Sequence, residues 1–212
     1  MVAPGRDRQD RALLPGRREG HPRPVRLRQA EPLRPRLPFR RQAPQGGGGL
    51  VGAPERHDPL ARLPRRPWVV TGANGLLTSA IARELDRRCP LLLCHHRSSD
   101  RLDGLHRHPR LAADLASTAD RDALVARAAA MAPLGGLVFG ASRFERTAEG
   151  DGASVRAALT LDLEAPLELA LRLAPHMASG ARIVLFGDAG TALGWPSYPA
   201  YLAAKGGIEA AA

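Results

Sequence analysis

Short apolar segments alternate with longer amphipathic segments from Trp68 onwards, and this alternation limits the fold more than any other feature. The apolar segments predict strands at 68–70, 91–94, 111–113, 136–140 and 182–187. Helical periods cover 76–88, 119–131 and 153–177, with Pro166 expected to bend the third helix or lie near a turn, and a further helix follows near Tyr201. Strands that alternate with helices predict a parallel sheet with right-handed crossovers. The predicted fold class is therefore α/β, with a doubly wound parallel sheet.

Residues 1–67 differ in composition from the rest of the chain. They contain 16 Arg, 6 acidic residues and 12 of the 19 prolines, whereas residues 68–212 balance 15 basic residues with 15 acidic ones. The whole net charge of +10 thus lies in the first segment. Such a segment buries too little apolar surface to offset the entropy lost on ordering. We predict a disordered extension over 1–67 and one folded domain over 68–212.

Three interpretations of residues 1–67 remain open. An Arg-rich tail could bind nucleic acid, but these Arg residues are scattered among prolines without interleaved aromatic residues, which disfavours specific binding. A transit peptide would be rich in Ser and poor in acids, whereas this segment has no Ser and 6 acids. The composition also fits a wrongly chosen start or a frame error in a GC-rich gene, which is the interpretation that we favour.

The sequence predicts neither a membrane span nor a disulfide framework. No apolar run approaches about 18 residues, and no signal peptide is visible. The two cysteines, Cys89 and Cys94, are too few and too close together for a disulfide scaffold. These features favour a reducing, cytoplasmic compartment.

Tyr201 and Lys205 are four residues apart, so they project from the same face of the last predicted helix. A free phenol has a pKa near ~10, and an ammonium within about 4–6 Å would lower that pKa by roughly 1–3 units. Lys205 is the only lysine of the chain, although a merely solvated position would be expected to hold Arg. The pair predicts an acid/base tyrosine. The alternative is a packed tyrosine followed by a surface lysine.

Polar or glycine-rich segments follow each predicted strand, at 71–75, 96–99, Asp114, 140–144 and Asp188. In a doubly wound sheet, ligands bind beyond the carboxyl ends of the strands. The glycine turn at 71–75 would let the backbone approach a pyrophosphate, which the following helix N-terminus would also favour. This placement predicts a dinucleotide site, and the alternative is an ordinary tight turn.

Taken together, residues 68–212 resemble the short-chain dehydrogenase/reductase family, whose fold is Rossmann-like. The resemblance rests on Thr71-Gly72-Ala-Asn-Gly75, Ala113-Asp114-Leu115, the segment 137–142, the helix at 161–166, and Tyr201-Leu-Ala-Ala-Lys205. The chain is most similar to the pteridine reductase branch. That similarity rests on Asp188, thirteen residues before Tyr201, and on the segments 95–98 and 141–144.

The resemblance implies an NADPH-dependent oxidoreductase that reduces a C=N or C=O bond of a small molecule, such as a pterin-like heterocycle. It implies that Tyr201 is the proton donor, and that Lys205 holds the nicotinamide ribose and lowers the pKa of Tyr201. Asp188 would orient the substrate or relay a proton, and Asp162 stands in the place of an Asn of the proton relay. Ser142 and Phe144 would contact the substrate, Phe144 by stacking on a flat ring. No metal is implied. The implied cofactor-binding residues are Thr71, Gly72, Asn74, Gly75, Leu76, Arg97, Ser98, Asp114, Leu115, Gly140, Ala141 and Lys205.

A physical argument independent of the resemblance also assigns Arg97 to the 2′-phosphate of NADPH. NAD-specific sites usually place an acid near this point to bind the ribose diol, whereas a guanidinium suits the 2′-phosphate of NADPH. Asp100 is close by but follows two serines, so we rank it below Arg97 with Ser98.

Several positions depart from the family pattern. Leu76 and Thr78 stand at the second and third loop glycines, and Phe139-Gly140 stands at the usual Asn-Asn. We expect Thr78 to disturb the close approach of helix and pyrophosphate. Because the sequence ends at Ala212, within the helix of Tyr201, we also expect a fragment whose sheet is incomplete at its carboxyl-terminal edge and leaves an unpaired strand.

We expect the full-length form to be a homo-oligomer. Two alternatives remain open: a degenerate nucleotide-binding module without turnover, and an interaction protein that acts through residues 1–67.

Overall fold

The computed structural model describes residues 65–148 and 150–212, and the prediction for 1–64 lies outside the described residues. The strands are β1 (Trp68–Thr71), β2 (Leu91–His95), β3 (Arg110–Ala112), β4 (Leu134–Phe139) and β5 (Met177–Leu185). The α-helices are α1 (Leu76–Asp86), α2 (Thr118–Ala129), α3 (Gly152–Leu159), α4 (Ala165–Leu173), α5 (Gly190–Leu193) and α6 (Pro199–Ala211). A π-helical turn, Thr160–Glu164, joins α3 to α4, and 3₁₀ turns cover Asp100–Leu102 and Ala174–His176.

The five strands form one parallel sheet in the order β3-β2-β1-β4-β5. In its register, Val69 of β1 lies between Leu92 of β2 and Leu137 of β4. The strands β2 and β3 are added on one side of β1, and β4 and β5 are added on its other side. The direction in which strands are added therefore reverses beside β1. The predicted α/β class with a doubly wound, Rossmann-like parallel sheet is confirmed.

Helices cover both faces of the sheet, which is why β1 and β4 are entirely buried, and why β2 is buried except at its last residue, His95. One core includes Leu92, Leu124, Leu137 and Leu169 and lies under α2 and α4. The core on the opposite face includes Val70, Leu85, Leu91 and Leu93 and lies under α1. Each fully buried Leu contributes about 1.5–3 kcal/mol, so the two cores hold the carboxyl ends of the strands in place.

The helix predicted over 153–177 differs in detail from the observed one. It is continuous as far as Leu173, but it contains the π turn, which ends two residues before Pro166. A proline has no N–H for the helical ladder and its ring crowds the preceding turn, so the wider π turn lets the helix continue through Pro166. Pro175 then ends the helix, so β5 begins at Met177 rather than at residue 182. The register between β4 and β5 shifts near Gly180, whose φ is +80°. This irregularity interrupts the strand pattern, so the sequence does not show that β5 begins at Met177.

Among the described residues, β5 forms one edge of the sheet. Its Ile183 and Val184 are 40% and 37% exposed, values that are high for apolar residues of a sheet. No helix in the described part of the chain is both long enough and apolar enough to cross a membrane.

Candidate active site

A cleft of about 370 Å³ opens at the carboxyl ends of β1, β2 and β4, where the strand order reverses. Its lining includes nine of the predicted cofactor residues: Gly72, Asn74, Gly75, Arg97, Ser98, Asp114, Leu115, Gly140 and Ala141. Three other predicted cofactor residues do not line it. Thr71 is buried, and its Oγ1 accepts a hydrogen bond from the N–H of Gly140 at 3.2 Å. Leu76 is 80% exposed. Lys205 is buried on α6.

The loop after β1 closes tightly around Gly72. Its φ is +59°, and a Cβ there would lie 2.5 Å from the backbone nitrogen of Ala141. The N–H of Gly75 donates to the carbonyl of Gly72 at 2.8 Å, which completes the turn into α1. Only glycine fits this position, since it needs both the left-handed conformation and the close approach to the β4 exit.

Thr78, which stands at the third loop glycine of the family, packs into the turn after β1. Its hydroxyl donates to the carbonyl of Gly72, and its side chain is buried against Gly140. A Cβ on Gly140 would lie only 1.9 Å from Cγ2 of Thr78. The two departures from the family pattern are thus complementary, because Gly140 leaves the space that the methyl group of Thr78 fills.

Asn74 braces the loop after β1 against the loop after β2. Its Nδ2 donates to Oγ of Ser98 at 2.7 Å, and its Oδ1 accepts from the N–H of Arg101 at 2.8 Å. Arg97 is exposed on the same wall of the cleft. The brace therefore fixes the backbone that presents Arg97 and Ser98. Arg101 was not among the predicted residues, because it contributes through its backbone N–H and no side-chain pattern indicates it.

Asp114 and Leu115 form the far end of the cleft. Oδ1 of Asp114 accepts from the N–H of Ala116 at 3.0 Å, and its own N–H donates to Asp120 at 2.6 Å. His96 approaches the other carboxylate oxygen of Asp114 at 3.9 Å. These contacts fix the exit of β3 beside the loop that carries Arg97.

Tyr201 donates its hydroxyl hydrogen to Oδ2 of Asp188 at 2.6 Å. Burial raises the pKa of Tyr201 above its ordinary value, and the hydrogen bond to Asp188 and the charges of Asp188 and Asp162 raise it further. The hydrogen bond from Tyr201 in turn lowers the pKa of Asp188. The pair therefore holds a neutral phenol against a carboxylate.

The predicted lowering of the Tyr201 pKa by Lys205 is wrong. Nζ of Lys205 lies 5.5 Å from the centre of the Tyr201 ring and 3.2 Å from Oδ1 of Asp162. Burial, Asp188 and Asp162 instead raise the pKa of Tyr201 above its ordinary value. Lys205 and Tyr201 do share one face of α6, as their spacing predicts.

Asp162 lies in the π turn and is 1% exposed. Besides Lys205, it accepts hydrogen bonds from the hydroxyl of Ser142 and from the N–H of Arg143, the latter at 3.1 Å. Ser142, predicted to contact substrate, lines the cleft while its hydroxyl is directed to Asp162.

Phe144 belongs to an aromatic cluster beside Tyr201. One face of its ring stacks on Tyr198, with centroids 4.5 Å apart and planes at 4°, and its distance to the Tyr201 ring is 5.0 Å at 76°. Trp195 packs edge-on at 6.2 Å. Phe144 remains 55% exposed. Trp195 and Tyr198 were not among the predicted site residues, although the spacing of aromatic residues over 195–201 indicates such a cluster.

Within 65–148 and 150–212, no group of three or more His, Cys, Asp or Glu side chains is placed to hold a metal ion.

The family model described as short chain dehydrogenase matches residues 67–212. The chain therefore belongs to the short-chain dehydrogenase family, a family of oxidoreductases. No curated protein matches the sequence.

Solved structures share the fold at low sequence identity. A short chain dehydrogenase from Burkholderia cenocepacia in complex with NADP is 24% identical with a TM-score of 0.62, and covers 69% of this chain and 65% of its own. BdcA in complex with NADPH is 21% identical with a TM-score of 0.61, at 70% and 62% coverage. A 3-oxoacyl-(acyl-carrier-protein) reductase from Agrobacterium tumefaciens with NADP bound is 23% identical with a TM-score of 0.60, at 68% and 60% coverage. The chain thus spans less than two thirds of the length of these structures.

Proposed function

We propose that the protein is an NADPH-dependent reductase that acts on a C=N or C=O bond of a flat small molecule, with a pterin-like heterocycle as the first candidate. The observation that carries this proposal is the hydrogen bond of 2.6 Å from Tyr201 to Asp188, on a helix that also carries Lys205. This donor lies in the same domain as the cleft, which has the position expected of a dinucleotide site.

The choice of NADPH rests on Arg97 and Ser98. Both line the cleft after β2, where NAD-specific enzymes usually present an acid. A guanidinium there would form charge-assisted hydrogen bonds with a 2′-phosphate. The three solved structures described above contain NADP or NADPH, which supports the same cofactor class.

NADPH, when bound, supplies the hydride that is added to the carbon of the reduced bond. In the structure the single hydroxyl hydrogen of Tyr201 is donated to Asp188. Substrate would take the place of Asp188 as the acceptor, and Tyr201 would then deliver this proton to the nitrogen or oxygen of the reduced bond. The raised pKa of Tyr201 keeps the phenol protonated at neutral pH and also makes it a weaker acid. Lys205 would hold the nicotinamide ribose.

A flat substrate is proposed because of Phe144. Its ring is 55% exposed and is held in place by Tyr198 and Trp195, so it offers a fixed aromatic surface beside Tyr201. We extend the proposal to a homo-oligomer for a longer form of the protein.

Tyr201→Phe tests the assignment directly. The substitution removes only the hydroxyl, so NADPH binding should be retained while substrate-dependent NADPH oxidation falls by ~10²–10⁴-fold, the usual contribution of a general acid. Oxidation is followed by absorbance with a panel of pterin-like, imine and ketone substrates, and binding by fluorescence.

Tyr198→Phe is the matched control, because Tyr198 stacks on Phe144 through its ring and not through its hydroxyl. Equal activity of Tyr201→Phe and the unmodified chain would contradict the proposal. NADPH binding without oxidation of any substrate in the panel would favour the non-catalytic nucleotide-binding module instead.

A further inference from the structure

Arg121 is a charged residue in the apolar stripe of α2. The buried residues of that helix are Arg121, Leu124 and Ala128, at i, i+3 and i+7, and Arg121 is only 2% exposed. An aliphatic side chain would usually fill such a position, because a buried guanidinium is costly unless it is paired and fully hydrogen-bonded. The presence of an arginine here therefore needs a reason beyond packing.

Each of the five N–H groups of the Arg121 guanidinium has an acceptor: two carboxylates, a hydroxyl and two backbone carbonyls. Nε donates to the carboxylate of Glu168 on α4 at 2.7 Å, and Nη2 donates to that of Glu164 in the π turn at 3.1 Å. Nη2 also donates to the hydroxyl of Thr118 at 3.2 Å. The side chain is thus held from two neighbouring elements as well as from its own helix.

The two carbonyls belong to the loop between β3 and α2. Nη1 of Arg121 donates to the carbonyl of Leu115 at 2.9 Å and to that of Ala116 at 3.3 Å. Leu115 lines the far end of the cleft, beside Asp114. The guanidinium therefore ties the backbone at this end of the cleft to the π turn and to α4.

The two carboxylates alone do not account for a buried arginine. Glu168 also accepts from Arg172 at 2.6 Å, and the side chain of Glu164 is 58% exposed to water. Both charges would thus be stabilised without Arg121. The bond to the carbonyl of Leu115, by contrast, is buried, and a buried carbonyl that loses its donor is costly. The loop is the part of this network that depends most on the arginine.

The order of the strands indicates what this end of the cleft would hold. A pyrophosphate would lie at the glycine turn after β1, and Arg97 after β2 is the proposed partner of the 2′-phosphate. Strand β3 lies beyond β2, so its exit follows next along the cleft, while Tyr201 comes after β5 on the opposite side of β1. The nicotinamide would extend towards Tyr201, and the adenine towards the loop after β3.

We propose that Arg121 is a positioning residue for the adenine end of the cofactor, because its guanidinium fixes the backbone of 115–116 as a wall of that subsite. Arg121 acts through this backbone and not by contact with the cofactor. This role rests on the proposed NADPH-dependent function.

Arg121→Lys and Arg121→Leu in the full chain test this role. Lysine keeps the charge but lacks the planar fork, and leucine suits the apolar stripe but makes no hydrogen bond. Both variants should weaken the binding of adenosine 2′,5′-bisphosphate, the adenine half of NADPH, by roughly three- to tenfold, because the loop loses its donors. Reduced nicotinamide mononucleotide, the other half, should bind as before. Isothermal titration calorimetry measures both affinities.

Amide hydrogen exchange is the second measurement, and it needs no nucleotide. Exchange over 115–117 should be faster in both variants, whereas exchange over the glycine turn at 71–75 should stay unchanged. Arg127→Leu is the matched control, because it removes the same charge from an exposed position of α2. It should alter neither the two affinities nor exchange in either segment.

Equal weakening of both halves of the cofactor, or of neither, would overturn the role of Arg121 and leave the reductase proposal standing. Faster exchange in both segments, or failure of both variants to fold, would show that Arg121 serves general stability and would overturn it too. An unmodified chain that binds neither half would instead contradict the reductase proposal, and the role of Arg121 with it.

Discussion

Arg97 and Asn74 lie on the same wall of the cleft and have different roles there. Nδ2 of Asn74 donates to the hydroxyl of Ser98 at 2.7 Å, and its Oδ1 accepts from the N–H of Arg101 at 2.8 Å. Asn74 therefore holds the loop after β2 in place. The side chain of Arg97 is exposed on the same wall. At the scale of single residues, cofactor preference should thus depend on Arg97, and the geometry of the loop on Asn74.

Arg97→Ala should narrow the preference for NADPH over NADH. Loss of a charge-assisted contact with a 2′-phosphate costs about 1.5–3 kcal/mol, which is roughly tenfold or more in NADPH affinity, while NADH binding should hardly change. Dissociation constants for both cofactors, measured by fluorescence titration, give the comparison. Arg101→Ala is the matched control, since it removes the same charge four residues away and leaves the backbone N–H that binds Asn74. Equal weakening of both cofactors by Arg97→Ala would show that Arg97 does not recognise the phosphate.

Among the larger elements, α1 and β4 fit together through Thr78 and Gly140. The methyl group of Thr78 fills the space where a Cβ of residue 140 would lie, and the hydroxyl of Thr78 holds the carbonyl of Gly72. The start of the helix, the glycine turn and the strand exit are therefore one packed unit. A change in any of the three should affect the cleft.

Gly140→Ala should destabilise the protein, and Thr78→Ser should restore much of the loss. Alanine at 140 would bring its Cβ to 1.9 Å from Cγ2 of Thr78, an overlap of the kind that costs about 1–3 kcal/mol. Thr78→Ser removes that methyl group and keeps the hydroxyl. The free energy of unfolding from urea denaturation is the measurement. Gly206→Ala, where an added Cβ meets open space, is the control and should not destabilise. A double variant no more stable than Gly140→Ala alone would contradict this packing.

The sequence predicts the elements better than it predicts how they meet. Buried strands such as 91–94 are visible in the sequence because their apolar character is local, and the glycine turn at 71–75 follows from the conformational freedom of glycine. The pairing of Lys205 with Asp162 is not visible, because it depends on a π turn that no periodicity indicates. A spacing of four residues correctly placed Tyr201 and Lys205 on one face of α6, but it could not show which carboxylate would lie in contact with the ammonium.

For the molecule as a whole, burial holds two groups in their protonated forms, one in a core of the sheet and one on α6. Cys94 of β2 is fully buried, and burial together with the charge of Asp120 raises its thiol pKa from 9.0 to about 12. The pKa of Tyr201 is also raised, first by burial and then by Asp188. In the unfolded chain both groups would titrate near their ordinary values.

These shifts predict a loss of stability at alkaline pH. A group whose pKa is raised by folding contributes its full stabilisation below the unfolded pKa and loses it as the pH rises towards the folded pKa. Above the unfolded pKa, the unfolded chain releases a proton that the folded chain keeps, so the free energy of unfolding falls by about 1.4 kcal/mol per pH unit for each such group. For Cys94 this range runs from about pH 9 to about pH 12.

Cys94→Ala should therefore make the decline shallower by up to that amount, as measured by urea denaturation at a series of pH values. Cys89→Ala is the control, because Arg88 and Arg65 partly offset the effect of burial on the Cys89 pKa and its removal should change the slope less. The readout is the slope against pH, which separates the thiol's ionisation from the constant packing loss that alanine causes at either position. If Cys94→Ala and the unmodified chain lose stability with the same slope, the Cys94 thiol ionises as readily in the folded sheet as in the unfolded chain.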